Sequence, residues 1–281
     1  MDARWSPVKK NIPMTLLILI LLGVFGYSAW QVGSYLVDSV KQKNTYDQLA
    51  AMVEQAQATA TESPADATPP SPEVPGESVP ETEPLPDMLP EYEALFALND
   101  DMVGWLKIDG TPVNYPVMQT PTVPEYYLYR NFYFERSDRG CLFTEEDCDV
   151  NAPSDNVVIY GHCMKDGSMF AALANFTSKS YWESHPTFRF DTLYEHRSYR
   201  IFAVFKTSAT PGEGFAYHTF QDAAREVEFD AFVSQCKGLS LYDTGITPAY
   251  GDKRLCLSTC EYTQANGRLV VVAVLEPDAT A

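Results

Sequence analysis

The pattern of apolar and polar positions divides this chain into three stretches. Residues 12–30 are apolar almost throughout, broken only by Pro13, Thr15 and Ser28 and by no charge. At 1.5 Å per helical residue such a run is about 28 Å long, close to the ~30 Å of a bilayer's hydrocarbon core. Residues 38–57 turn polar and predict a short juxtamembrane helix. Residues 60–91 hold nine prolines, eight acidic residues and no Lys or Arg, which predicts an extended linker with too little apolar surface to offset the entropy of ordering. From residue 88 short apolar runs recur between turn residues, at 103–108, 113–118, 140–143, 156–160, 187–191, 195–207, 254–259 and 269–275. Eight strand-length runs with mostly short gaps predict a mixed or antiparallel barrel, mostly β with a few helices. Helices are expected at 90–99, where Pro90 stands near the start, at 168–176, and at 222–236. In the last of these Ala223, Val227, Ala231 and Phe232 recur at helical spacing. The expected organisation is 1–11 as a cytoplasmic N-terminus, 12–37 as a transmembrane anchor, 38–88 as juxtamembrane segment and linker, 89–277 as the globular domain and 278–281 as a tail.

Charge around the first run sets its expected topology. Arg4, Lys9 and Lys10 precede it, and Trp30 and Tyr35 follow at interfacial depth. By the positive-inside rule the N-terminus stays in the cytoplasm and everything beyond the helix lies outside the cell. The competing reading is a cleaved signal peptide. The run exceeds a usual signal core and Tyr27-Ser28-Ala29 is a weak cleavage site, so an uncleaved single-pass anchor in the cell membrane is expected. The acidic linker then holds a domain away from the bilayer.

Composition removes several function classes. A formal net charge of −18 leaves no basic stripe for phosphates, so no nucleic-acid partner is expected. The six cysteines have neither the spacing of a disulfide framework nor that of a zinc site, and no calcium-loop pattern occurs. Neither a metal nor a cofactor is expected.

Candidate chemistry lies near the end of the chain. Leu255-Cys256-Leu257-Ser258-Thr259-Cys260 carries a thiol to the end of a strand, a polar turn follows, and Arg268 opens the next apolar run. Strands joined in this way are antiparallel neighbours, which brings a guanidinium beside the Cys260 sulfur. A fixed cation favours thiolate and can hold a developing oxyanion, the needs of covalent acyl transfer. The base is expected at His162, which ends the strand 156–160 behind Gly161, with Val158, Tyr160 and His162 on one face. His185, His196 and His218 lie in turns or among charges, so structural roles are expected for them.

Tyr160-Gly161-His162, Leu257-Ser258-Thr259-Cys260 and Arg268, taken in that order, resemble the sortase family, class B in particular. The blocks Gly104-Trp105-Leu106-Lys107-Ile108-Asp109-Gly110-Thr111, Asn114-Tyr115-Pro116-Val117-Met118-Gln119, Tyr126-Tyr127-Leu128 and Ser168-Met169-Phe170 resemble it as well. Cys256 stands where the family usually has threonine, and Cys163 where a polar residue is more usual. The resemblance implies an eight-stranded barrel and a cysteine transpeptidase. Such an enzyme cuts a C-terminal sorting signal after threonine and joins the new carboxyl end to a peptidoglycan amine in a Gram-positive wall. Its implied partners are sorting-signal-bearing surface proteins and the wall amine. It implies Cys260 as nucleophile, His162 as acid and base, and Arg268 as oxyanion holder. By position, Asn114, Met118, Tyr160, Ser258 and Glu261 resemble groove residues that bind substrate. The segment 209–241 is expected to help select substrate.

Other readings differ in chain order. Papain-like enzymes place cysteine before histidine, and L,D-transpeptidases keep the two close, whereas here the histidine comes first by 98 positions. A sortase-like pilin polymerase, a cysteine protease that mainly hydrolyses, and a silent tethered binding domain are the remaining alternatives. Cys256 and Cys260, about 13 Å apart along a strand, are too far to bridge. Cys141 and Cys148 flank a loop that would allow pairing, but free thiols are expected. Strand alternation predicts that Cys163 points away from the site.

Overall fold

The computed structural model describes residues 12–62 and 87–277, so the expected cytoplasmic N-terminus, most of the linker and the tail lie outside the described residues. The chain forms two units, 1–45 and 46–281. One helix, α1 (Ile12–Glu62), runs through the end of the first and into the second. In the first unit its apolar side chains, such as Leu19, Leu22 and Phe25, are exposed, and α1 is long and apolar enough to cross a membrane. The expected break between an apolar span and a separate juxtamembrane helix does not occur. From Ser34 to Glu62 the sequence holds no Pro or Gly to interrupt a helix, and Pro64 follows two residues after the end.

The second unit begins at Tyr46, far upstream of residue 89. Tyr46, Leu49 and Val53 are buried in the main core. Their spacing marks one helical face, and polar neighbours on the other faces mask it in the average composition. After α2 (Pro90–Phe96) come eight strands: β1 (Met102–Lys107), β2 (Asn114–Met118), β3 (Leu142–Thr144), β4 (Asn156–Tyr160), β5 (Thr187–Thr192), β6 (Ser198–Ser208), β7 (Arg254–Glu261) and β8 (Gly267–Leu275). They close a barrel in the order β1-β2-β3-β4-β7-β8-β6-β5. All eight expected strands are present. Most neighbours are antiparallel, but β2 pairs β3 and β4 pairs β7 in parallel.

Two apolar layers explain why β7 and β8 read as nearly continuous apolar runs. Leu255, Leu257, Val271 and Ala273 face the interior. Cys256, Val270 and Val272 face outward beneath α4 (Glu226–Leu239), against Phe229, Phe232, Val233 and Cys236. A strand covered on both faces loses the alternation of a half-exposed one. α4 starts four residues later than its sequence pattern indicates. The reason is local: Asp222 Oδ1 accepts the Asp155 amide at 2.8 Å, and the Ala223 amide donates to Asp155 Oδ2 at 2.9 Å, which ties this segment to the start of β4. The run expected as a helix at 168–176 is a 3-10 helix, Phe170–Thr177, followed by the short α3 (Lys179–Ser184).

Candidate active site

The parallel pairing of β4 with β7 brings the expected base and nucleophile together. Tyr160 is in register with Ser258, the Gly161 amide donates to the Ser258 carbonyl at 3.1 Å, and Thr259 Oγ1 donates to the Gly161 carbonyl at 2.7 Å. Two residues past the end of β4, His162 lines the same groove as Cys260. On the other side, antiparallel β8 puts Arg268 directly opposite Cys260, as the turn after Cys260 predicts. His162, Cys260 and Arg268 all line one groove of about 540 Å³.

His162 is oriented from behind. Its Nε2 lies 2.8 Å from the Leu128 carbonyl; a carbonyl only accepts, so Nε2 carries the proton and Nδ1 is left for proton exchange. The Phe170 amide donates to the His162 carbonyl at 2.9 Å, and the Tyr129 ring packs 5.6 Å from the imidazole. Gly161 is required for space rather than for backbone freedom. Its φ is not positive; instead a Cβ there would stand 2.5 Å from Leu142 Cδ2 and 2.7 Å from Phe170 Cδ2, closer than carbon atoms pack.

The groove floor is a polar network. Tyr160 donates a short hydrogen bond to Glu145, and the Tyr217 and Ser258 hydroxyls meet at 2.6 Å. Burial pushes the Glu145 carboxyl above the usual carboxylate range, with the Tyr160 bond and the charge of His218 acting against it. Burial also raises the Tyr217 phenol to about 12, so it stays a neutral hydroxyl. Glu125, Glu146 and Asp147 also line the groove, as do Ala209, Tyr217, His218 and Thr219. The segment 209–241 thus contributes groove lining.

Of the expected substrate residues, Tyr160 and Ser258 line the groove. Asn114, Met118 and Glu261 do not. Asn114 is at the far end of β2, where its Oδ1 accepts the Trp105 indole N–H at 2.7 Å, in a niche shared with Val53 and Tyr92 of the N-terminal elements. Met118 is fully buried in the core. Glu261 lies just past Cys260, where the chain turns, and is engaged by Lys206 Nζ at 2.8 Å. Burial works to raise its carboxyl, yet the bonds from Lys206 and Thr263 hold it below the usual range.

His218 is a groove residue that its loop position concealed, since nothing local links it to β4. Leu128 was legible only as part of an aromatic block, because its role uses a backbone carbonyl that no side-chain pattern encodes. Cys163 does not line the groove. The chain leaves β4 after Tyr160, and Cys163 makes an isolated bridge with Met169, so strand alternation no longer governs it. Burial, then the charges of Cys260 and Glu261, push its thiol up. The six cysteines are free, and only Cys163 and Cys260 are partly exposed.

The sortase domain family matches residues 106–276. A curated sortase B of Listeria monocytogenes is 30% identical over 257 residues, which is 91% of this chain and 93% of the relative. A sortase B of Staphylococcus aureus is 31% identical over 188 residues, 66% of this chain and 74% of the relative. Among solved structures, a Staphylococcus aureus sortase B–substrate complex superposes with a TM-score of 0.70 at 25% identity, covering 85% of this chain and 98% of that one.

Proposed function

This chain belongs to the sortase family of cysteine transpeptidases, class B, and from that premise we propose that Cys260, His162 and Arg268 perform its acyl transfer. Cys260 Sγ, its proton passed to His162, attacks the carbonyl of the threonine in a C-terminal sorting signal. Arg268, across the β7–β8 pair, neutralises the tetrahedral oxyanion as it develops. His162 gives a proton to the departing amine, and a thioacyl enzyme remains. A cell-wall peptidoglycan amine then enters, loses its proton to His162, and takes the acyl group, which restores the thiol.

The observation that carries this reading is the register. The reading is supported by Arg268 standing opposite the half-exposed Cys260 across β7 and β8 and by His162, just past β4, lining the same groove. Tyr160 and Ser258 are proposed to contact the sorting signal from the groove floor. The rest of the reading concerns where the reaction happens. The exposed apolar stretch of α1 supports a single-pass anchor, and the lysines and arginine before it support a cytoplasmic N-terminus with the catalytic domain outside the cell.

The test incubates the protein with a library of sorting-motif peptides and an amine acceptor, with products read by mass. Transfer products whose new bond follows threonine are expected, together with their loss in a folded Cys260→Ala variant. Hydrolysis alone would identify a protease instead, and full activity in Cys260→Ala would end the covalent mechanism.

A further inference from the structure

Tyr46 belongs to α1, remote in sequence from every residue of the groove, yet two routes lead from it to His162. In the first, the Tyr46 hydroxyl donates to the Gly140 carbonyl at 2.5 Å and lies 3.3 Å from Cys141 Sγ. Gly140, at φ +57°, is pressed against the segment that holds the histidine: a Cβ on it would stand 2.4 Å from the Tyr127 carbonyl and 2.5 Å from that of Leu128. The Cys141 amide donates to the Tyr127 carbonyl at 3.0 Å. The Leu128 carbonyl then accepts His162 Nε2. In the second route, the Tyr46 ring packs edge-on against Tyr115, centroids 5.1 Å apart. The Tyr115 hydroxyl accepts the Met169 amide at 3.3 Å, and the next residue, Phe170, donates its amide to the His162 carbonyl.

One route thus fixes the imidazole and the other the backbone that carries it. Burial pushes the Tyr46 phenol well above the ordinary tyrosine range, and burial raises the Cys141 thiol to about 12. Both therefore keep their protons, and the phenol remains a donor to Gly140.

We propose that Tyr46, through the Gly140–Cys141 and Tyr127–Leu128 backbones, is a positioning residue for the acid–base imidazole of His162. The proposal rests on the reading of His162 given above. It gives Tyr46 alone, among the α1 residues packed into the core, a positioning role beyond packing.

The experiment uses the full chain in detergent micelles and compares Tyr46→Phe, Leu49→Ala and His162→Ala with the parent. Tyr46→Phe keeps the ring and deletes only the hydroxyl. It is expected to lower kcat for sorting-peptide cleavage about tenfold, since small misplacements of a reacting group are costly. KM should stay within about twofold, because the groove walls are untouched, and the limb of the kcat–pH profile that reports His162 should move. Leu49→Ala deletes buried packing from the same helix face without touching the hydroxyl. It should lower the melting temperature while kcat and the pH profile hold at a temperature where circular dichroism shows the variant folded. An unchanged kcat and pH profile in folded Tyr46→Phe would overturn the proposal, as would an equal loss of kcat in Leu49→Ala. His162→Ala keeps the two readings apart. Should that variant remain active, the role given to His162 fails on its own account. Should it be inactive while Tyr46→Phe behaves as the parent, only the positioning role falls.

Discussion

Replacing Gly161 by alanine tests how the barrel holds the imidazole in place. The added methyl would sit 2.5 Å from Leu142 Cδ2 and 2.7 and 2.8 Å from Phe170 Cδ2 and Cγ. Carbon atoms pack at about 3.5–4.0 Å, so something must give by roughly 1 Å. The Gly161 backbone is poorly able to retreat, because its amide and carbonyl are both bonded to β7, at Ser258 and Thr259. Leu142 and Phe170 are fully buried and have little room to move. Overpacking of this kind costs about 1–3 kcal/mol. For a domain of this size each kcal/mol lowers Tm by about 2–4 °C, so a loss of roughly 2–12 °C is expected. Activity should fall further than stability, because the displaced residue adjoins His162 and a 1 Å error near the reacting groups costs about 10²-fold. Thermal melts and kcat/KM on a fluorogenic sorting peptide measure the two effects. Adding Leu142→Ala to the variant opens space for the methyl and should recover part of the loss, a favourable coupling of about 0.5–3 kcal/mol. A Gly161→Ala protein with parental Tm and parental kcat/KM would refute the crowding argument.

Three further outcomes are expected. Arg268→Ala should lower kcat by about 10²–10³-fold, the usual cost of losing an oxyanion donor, with Tm nearly unchanged because the side chain is half-exposed; a loss under about tenfold in single-turnover assays would remove it from that role. Cys256→Ala should cost stability but not chemistry: the thiol is buried beneath α4 and donates to Asn156 Oδ1 at 3.1 Å, so acyl transfer should survive, and an inactive but folded variant would contradict this. Asp155 supplies a pH signature. Burial works to raise its carboxyl, but the bonds from Lys253 and the Ala223 amide hold it below the usual range. Because the folded value is depressed, its stabilisation is present above the unfolded value of about 3.9 and is lost as pH falls through the folded one. The gap in urea midpoint between the parent and Asp155→Asn should therefore be widest near neutrality and shrink as pH falls below the unfolded value; a gap independent of pH would show that the ion pair contributes nothing through ionisation.

How much of this was legible in the chain differs from element to element. The eight strands could be located because each is a short apolar run between turn residues, and the helix that became α4 because its apolar residues recur at helical spacing. Cys260 and Arg268 were readable as a pair, since a tight turn between successive strands fixes an antiparallel register locally. The buried stripe of α1 was not read, because Tyr46, Leu49 and Val53 are three residues in a polar stretch and only a surface to pack against gives their spacing meaning. Asn114 failed as a groove residue for a similar reason. Its position on β2 was right, but the end of the strand that faces the groove is decided by the neighbour at Met118, which pairs with Phe143 of β3.

Taken by itself, the sequence determined the class of fold, the apolar helix, the thiol and the cation beside it, because each rests on periodicity or on neighbours a few residues apart. Tertiary structure brought His162 into the groove that Cys260 lines, since parallel β4 and β7 are joined through β5, β6 and α4 and their register is set by packing on both faces. It alone supplied the Leu128 carbonyl that fixes the tautomer, a backbone atom identical in every residue type. It also brought Tyr46 under Gly140 and His218 onto the groove wall. Contacts between segments so far apart along the chain are selected by the shape and burial of the closed barrel, and no local pattern of residues encodes them.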